Sequence, residues 1–514
     1  LYSFIKRKIQ YLNVPGKTAD NAENVQEIML TKNIQRNLAS FSGEMGVDND
    51  VVIRNFTFGR NNSVQAAVLY LDGLTDKQQV DKNIISQLLK NNTFDRDCDI
   101  KDIENYLASS GDMYLADSVD SMIGSCLSGN AALLFDGFDT ALIIGCKYWE
   151  KRSVSEPQTE PVIRGPREGF TEDFITNLSL VRRKIKSSSL KAEFMTIGKR
   201  TKTKVCVLYI KDIADAKIVE TIKGRLKRIN TDAILETGYI EQYIEDFPLS
   251  IFHTTGYTEK PDVAAGKLLE GRIAIVVDGT PFVLTAPRLF AENFQTAEDY
   301  YVGSIYGSLI RILRFISYFI AIFAPAIYVA LSTFHQELIP TSLLITMAKA
   351  REGVPLSAFF EALAMLTAFE ILREAGLRLP RAVGQAISIV GALIMGDAAV
   401  AAGFVGSTIV IIIALAAVAS FVVTLQIESV SILRLIMLFL AWLFGGYGIA
   451  LGFLGLLIHL SNLKSYTVPF LGSIAPAEAK AMKDVFVRAP MTAMNTRELP
   501  AASGDADRGK GKRG

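Results

Sequence analysis

Histidine and cysteine are scarce in this chain, and neither is grouped. Its 514 residues include three histidines (His253, His335, His459) and four cysteines (Cys98, Cys126, Cys146, Cys206), with no Cys-x-x-Cys pair. Such spacing offers neither a zinc ligand set nor a disulfide framework, so no metal is expected. An excess of one charge is also missing: the formal net charge is +1, which gives no basic field for nucleic acid. There is no GxxxxGK[ST] loop, no strand-linked GxGxxG and no nucleophile–base set. An enzyme is therefore not expected, nor are catalytic residues or a cofactor. The basic opening LYSFIKRKIQYLN lacks the apolar core of a signal peptide, so the first 300 residues are expected on the cytoplasmic side unless the first span exports them.

Long apolar runs are missing before residue 305 and frequent after it, although mean hydropathy over the whole chain is +0.27. The polar half alternates strand-like and helix-like patterns, and it repeats. AAVLYL (66–71) is followed by the helical period of DKQQVDKNIISQLLK, then by DSVDSMIGSCL and two apolar runs around Asp136-Gly137. VCVLYI (205–210), DAKIVETIKGRLKRI and an apolar pair around Asp278-Gly279 return in the same order. Val68-Leu69-Tyr70 maps to Val207-Leu208-Tyr209 with an offset of 139, NL at 37–38 to 177–178 with 140, and Asp136-Gly137 to Asp278-Gly279 with 142. Each Asp-Gly reads as the turn of a β-hairpin, where glycine supplies the positive φ. The expected fold is an α/β N-terminal region of two tandem similar α/β subdomains, followed by an all-α polytopic membrane domain. The expected divisions are 1–60 (polar, helical from TADNAENVQEIML), 61–152, a linker at 153–170, 171–300, a membrane domain at 305–462 and a basic tail at 463–514 with a disordered end. Two similar lobes can also enclose a ligand cleft.

Four apolar segments reach the roughly 20 residues that a bilayer crossing requires. They are 314–334, 383–404, 408–427 and 432–460, and the last is long enough to break at Gly445-Gly446. A fifth, FFEALAMLTAFEILREAGLRLPR (359–381), fills with charge. Glu361 and Glu370 lie nine residues apart, about 180° around a helix, so they cannot share a lumen-facing side. Glu370 and Glu374 do share a face, within reach of Arg373 or Arg378. The segment suits packing against protein. Arg311 and Arg314, then Arg373, Arg378 and Arg381, and then the basic tail each mark a cytoplasmic end. Five crossings would put the tail on the other side, so either 359–381 or the glycine-broken last run must dip back. Residues 383–404 carry small side chains at helical spacing together with Gln385 and Asp397, and Asp397 fits either a polar lining position or a helix cap at an interface.

EALAMLTAFEILREAGLRLPRAVGQAISIVGALIMGDAAVAAG resembles the signature of the A subunits of bacterial spore germination nutrient receptors, the GerA family. EPVIRGPREGFTEDFITNLSLVRRKI, YIEQYIEDFPLSIFHTTGYTEKPDVAAGKLLEGRIAIVVDGTPFVL and VPFLGSIAPAEAKAMKDVFVRAP extend the likeness over residues 130 to 490. The resemblance implies a multi-pass subunit of the inner spore membrane with a cytoplasmic N-terminal domain. It also implies a transporter-like B subunit and a lipoprotein C subunit as partners, membrane lipid around it, and a homo-oligomer, a pentameric ring, forming a nutrient-gated cation channel. The helix matching the family's pore lining is 384–404. This makes Gln385, Ser388, Ala392, Leu393 and Gly396 the lining candidates, with Leu393 as an apolar constriction. Asp397, Glu361, Glu370, Arg373 and Glu374 are the candidate polar or gating residues. The alternatives are a paralogue that amplifies germination without sensing nutrients, and a non-conducting scaffold or carrier.

Overall fold

The computed structural model describes residues 28–46, 48–91, 94–95, 98–148, 157, 159–378, 396–472, 474–475, 481–494 and 497. The duplication expected from the offsets is a duplication of fold. In the first lobe, β1 (Val51–Phe58), β2 (Val64–Leu71), β3 (Met113–Ala116), β4 (Ala131–Phe135) and β5 (Ala141–Ile144) form a sheet in the order β1-β2-β4-β5-β3. In the second, β6 (Leu190–Ile197), β7 (Thr203–Ile210), β8 (Gly256–Thr258), β9 (Ile273–Val277) and β10 (Val283–Ala286) follow the equivalent order β6-β7-β9-β10-β8. All paired neighbours are antiparallel.

Helices cover both faces of each sheet. Buried residues of α1 (Ile34–Met45) and α4 (Val119–Leu127) cover one face of the first. The other face is covered by a helix running through Lys77–Gln79, Val80–Ile85 (wound as a π-helix) and Ser86–Lys90, here α2, and by α3 (Ile100–Tyr106). In the second lobe α5 (Phe174–Lys184) and α8 (Pro261–Leu269) lie on one face, α6 (Ala216–Arg228) and α7 (Thr237–Ile244) on the other. Because these sheets are buried on both faces, their central strands are apolar runs without alternation.

Equivalent side chains do equivalent work in the two lobes. Asn37 Oδ1 accepts from the Thr31 amide at 2.8 Å, and Asn177 Oδ1 from the Thr171 amide at 2.7 Å. Gly137 and Gly279 take φ of +96° and +86° in the two expected hairpin turns. The first lobe reaches back past the expected boundary at 61, since β1 pairs with β2 along eight residues from Val51↔Leu71 to Phe58↔Val64. Of the helix expected from residue 18, residues 18–27 lie outside the described residues. Residues 28–30 are extended rather than helical, with Met29 bridged to Ser118. The described part of the linker lies against the second lobe, where Lys260 Nζ donates to Pro166 O at 2.8 Å.

After α9 (Glu298–Tyr301) the chain is helical: α10 (Ser304–Thr333), α11 (Thr341–Ala350), α12 (Ala358–Arg378), α13 (Ser407–Val422) and α14 (Ile427–Asn462). α10 is about 45 Å long at 1.5 Å per residue. α13 has 16 residues, about 24 Å, which corrects the full-length span expected at 408–427. α14 breaks where the two glycines stand: Gly445 has φ 59° and ψ −140°, which an L-residue does not adopt. Its halves, 427–444 and 446–462, fold back on each other. A Cβ on Gly452 would lie 2.6 Å from Met437 Sδ, and one on Gly448 would overlap Leu440 O. The glycine face of the second half, Gly448 and Gly452, lies so close to Leu440 and Met437 of the first that only the missing side chains allow this tight helical hairpin.

This reversal fixes which ends meet. Both feet of α14 touch one loop of the second lobe: His253 Nε2 lies 2.9 Å from Glu428 Oε2, and Ser250 Oγ lies 3.2 Å from His459 Nε2. Its tip meets the distal end of α10, where the Gly446 amide donates to His335 Nε2 at 3.1 Å. The described residues of 463–494 therefore lie back at the lobe end. Tyr466 is buried in the core of the second lobe, and Asp484 accepts from Arg311 of α10 at 2.8 Å. Val485, Arg488 and Met494 of the tail are buried, and the end expected to be disordered lies outside the described residues.

Candidate functional site

The residues singled out in 359–381 belong to two separate polar clusters at opposite ends of α12. Near its start, Glu361 is fully buried and receives the Gly406 amide at 2.8 Å and Arg351 Nη2 at 2.9 Å. It ties α12 to the loops around α11 and α13 at the distal end. Near its finish, Glu370 Oε2 pairs with Arg373 at 2.5 Å, while Oε1 accepts from Ser431 Oγ of α14 at 3.2 Å. Arg373 Nη1 also reaches Ser431 Oγ at 3.1 Å, and Glu374 pairs with Arg378 at 2.6 Å. Phe359 stacks on Trp442 at 4.5 Å near the tip of α14, so α12 runs antiparallel to the first half of α14. Arg373 therefore stands at the lobe end, with Arg311, Arg314 and the tail.

Arg434 was not anticipated from the sequence. Its side chain is 1% exposed, no nitrogen of its guanidinium makes a hydrogen bond, and its nearest acid is Glu370 Oε1 at 4.0 Å. A buried cation with so little compensation is expensive. The face of Phe369, 6.0 Å away, is its other contact.

Of the proposed lining residues, Gln385, Ser388, Ala392 and Leu393 lie outside the described residues. Gly396 is buried, with Val410 Cγ1 3.5 Å from where its Cβ would be, and Asp397 is exposed.

Two further features belong to the lobes. An open cleft of about 650 Å³ lies between them, lined by Asp72, Asp76, Lys77, Asp173, Thr176 and Arg183. At the joint with the helices, His253 stands between Glu241, 3.2 Å from its Nδ1, and Glu428. The Glu241 carboxylate, outweighing burial and aided by Glu428, pushes His253 up to about 9. Glu245, one turn beyond Glu241, is held above the usual carboxylate range by burial and by Glu241. The Glu-x-x-x-Glu spacing of 241–245 was legible in the sequence, but a loop brings His253 to it.

The family model described as Bacillus/Clostridium GerA spore germination protein matches residues 39–499. The chain belongs to the GerA family. Among GerA relatives, spore germination protein KA of Bacillus subtilis (strain 168) is 43% identical, with the match covering 96% of this chain and 91% of that protein. The uncharacterized membrane protein YfkQ of the same organism is 42% identical over 96% of this chain and 95% of its own. Spore germination protein GerLA of Bacillus cereus is 41% identical over 88% of this chain and 92% of its own. A crystal structure of the N-terminal domain of the A subunit of the Bacillus megaterium spore germinant receptor GerK3 matches with 39% identity and a TM-score of 0.42, covering 52% of this chain and 98% of that one.

Proposed function

We propose that this GerA-family chain is the A subunit of a spore germination nutrient receptor. In this reading it spans the inner spore membrane several times, with its lobes on the cytoplasmic side. It assembles as a ring, a pentamer, and opens a cation path when nutrient binds. A transporter-like B subunit and a lipoprotein C subunit complete the receptor. The path is lined by residues 384–404, with Gln385, Ser388, Ala392 and Gly396 along it and Leu393 as the apolar constriction.

The observation that carries this reading is the joint between lobe and helices. Both feet of α14 rest on the 250–253 loop, so a displacement of the second lobe is passed directly to the hairpin that packs on α10 and α12. The membrane setting is supported by large apolar side chains left exposed along the helices, such as Leu309, Ile316 and Phe319 on α10 and Leu435, Phe439 and Leu454 on α14. In water such a belt costs about 25 cal/mol per Å² of apolar surface left unburied. In lipid it costs nothing. α10 is long and apolar enough to cross a bilayer, and the two apolar halves of α14 would enter it as a hairpin. The reversal at Gly445 returns the tail to the lobe side, so all three arginine-rich ends lie on one face, as the positive-inside rule requires.

Reconstitution of the chain with its B and C partners in potassium-loaded vesicles tests the proposal. Nutrient-dependent potassium efflux is expected. A correctly assembled complex that stays tight to potassium in saturating nutrient contradicts the channel and favours a scaffold.

A further inference from the structure

We propose that Glu241, Glu245 and His253 form a binding site for a first-row divalent cation, of which Zn²⁺ is the best fit, at the joint between the second lobe and α14. One ligand atom from each of the three residues lies within 4.8 Å of the others. Glu241 and Glu245 are four residues apart on one side of α7 and its C-terminal cap, and His253 faces them from the following loop.

Three observations make this more than a cluster of acids. First, Glu241 Oε1 is buried and makes no hydrogen bond, although it sits 3.2 Å from His253 Nδ1. Two lone-pair atoms on one tetrahedral zinc, with bonds near 2.0–2.1 Å, stand about 3.3 Å apart. The pair already has that spacing. Second, the far side of the imidazole is oriented from outside the cluster. His253 Nε2 lies 2.9 Å from Glu428 Oε2, so its N–H has a carboxylate to donate to, and a metal would take the place of the proton on Nδ1. Metal-bound histidines are held by this kind of outer carboxylate. Third, Glu245 is positioned through one oxygen alone. Its Oε1 accepts from the Thr254 and Thr255 amides at 2.8 and 3.0 Å and from Thr254 Oγ1 at 3.2 Å. Among the described residues its other oxygen takes no hydrogen bond, which leaves it for a ligand.

The donor set decides the class of ion. One imidazole and two carboxylates suit Zn²⁺ or its first-row neighbours, while Ca²⁺ takes six to eight oxygens and Mg²⁺ keeps an octahedral shell largely of water. Bound metal would fix the imidazole and, through Nε2–H, the foot of α14. The ion would thus tighten the joint between lobe and hairpin. This assignment does not depend on ion conduction.

The test uses the full chain, free of any histidine tag, in lipid nanodiscs. After chelator treatment it is equilibrated with Zn²⁺, and bound metal is counted by mass spectrometry. One equivalent per chain is expected, lost in His253→Ala and in Glu245→Gln and kept in His335→Ala and His459→Ala. Glu428→Gln should weaken binding about 10- to 100-fold, the usual effect of removing an outer-shell partner. Excess Ca²⁺ should not displace the zinc. X-ray absorption of the wild-type zinc complex gives a reading that needs no variant, and a shell of one imidazole with oxygen donors is expected. A folded wild-type chain that retains no zinc, zinc that survives in His253→Ala, or a sulfur-containing shell would each overturn the site.

Discussion

Phe334, the residue that ends α10, packs its side chain against the backbone of Gly445 at the tip of α14. A Cβ added to Gly445 would stand 2.8 Å from both Cβ and Cγ of Phe334. Gly445→Ala therefore meets a clash as well as a φ of 59° that alanine resists, a cost of about 1–3 kcal/mol for the backbone alone. The expected outcome is loss of the reversal. A cysteine introduced at Lys464 should be labelled from the lobe side in the parent protein. In Gly445→Ala it should either change sides or disappear with the folded protein. Unchanged yield and sidedness would show that the break does not need glycine.

The two lobes are joined by charge. Arg182 of α5, 1% exposed, places Nε 2.8 Å from Asp50 Oδ2 and Nη2 2.9 Å from Asp50 Oδ1, and its Nη1 caps Leu190 O at 2.7 Å. Removing one partner of a buried pair costs about 3–5 kcal/mol, and here somewhat less, because Asp48 Oδ2 also lies 3.5 Å from Nη2. Asp50→Ala should lower the unfolding midpoint of the lobes sharply. The double change Asp50→Leu with Arg182→Met should recover a large part of the loss. Equal destabilisation in the single and double variants would contradict the pairing.

Thiol chemistry reports on the same cores. Burial pushes Cys126 and Cys146 up to about 12 and raises Cys206 well above the free thiol, while half-buried Cys98 rises less. Only the thiolate reacts, so at pH 8 the native chain should be alkylated at Cys98 first, and the other three should wait for unfolding. The sign follows from the direction of the shifts, and raising the pH toward 10 should speed Cys98 without exposing the others. Mass mapping of the labelled chain checks the order. Early labelling of Cys126 would place it outside the first lobe's core.

Much of this architecture could be read from residues alone, for identifiable reasons. The Asp136-Gly137 and Asp278-Gly279 turns announce themselves through the φ that only glycine takes cheaply, and the strands beside them are apolar throughout because helices cover both faces. β1 was missed because VVIRNFTF, an edge strand with Arg54, Asn55 and Thr57 facing water, has no such signal. The break in α14 was legible in its paired glycines. Its consequence, both feet on one loop, was not, because Ser250–His459 and His253–Glu428 join residues 209 and 175 positions apart. Arg434 could not be foreseen at all: a lone arginine in an apolar run looks like an interfacial anchor, and burial between α12 and α14 is a property of packing. The described charges of 359–378 resolve into one buried clamp at Glu361 and two pairs at the lobe end, Glu370 with Arg373 and Glu374 with Arg378.

The most direct measurement is the potassium leak of vesicles carrying the assembled receptor, without nutrient, when Leu393 is changed to Ala. An apolar constriction closes a pore by excluding water, and shortening its side chain lets water and ions pass. Leu393→Ala is expected to leak potassium in the absence of nutrient while the parent receptor stays tight. A variant that assembles normally and stays as tight as the parent would contradict it.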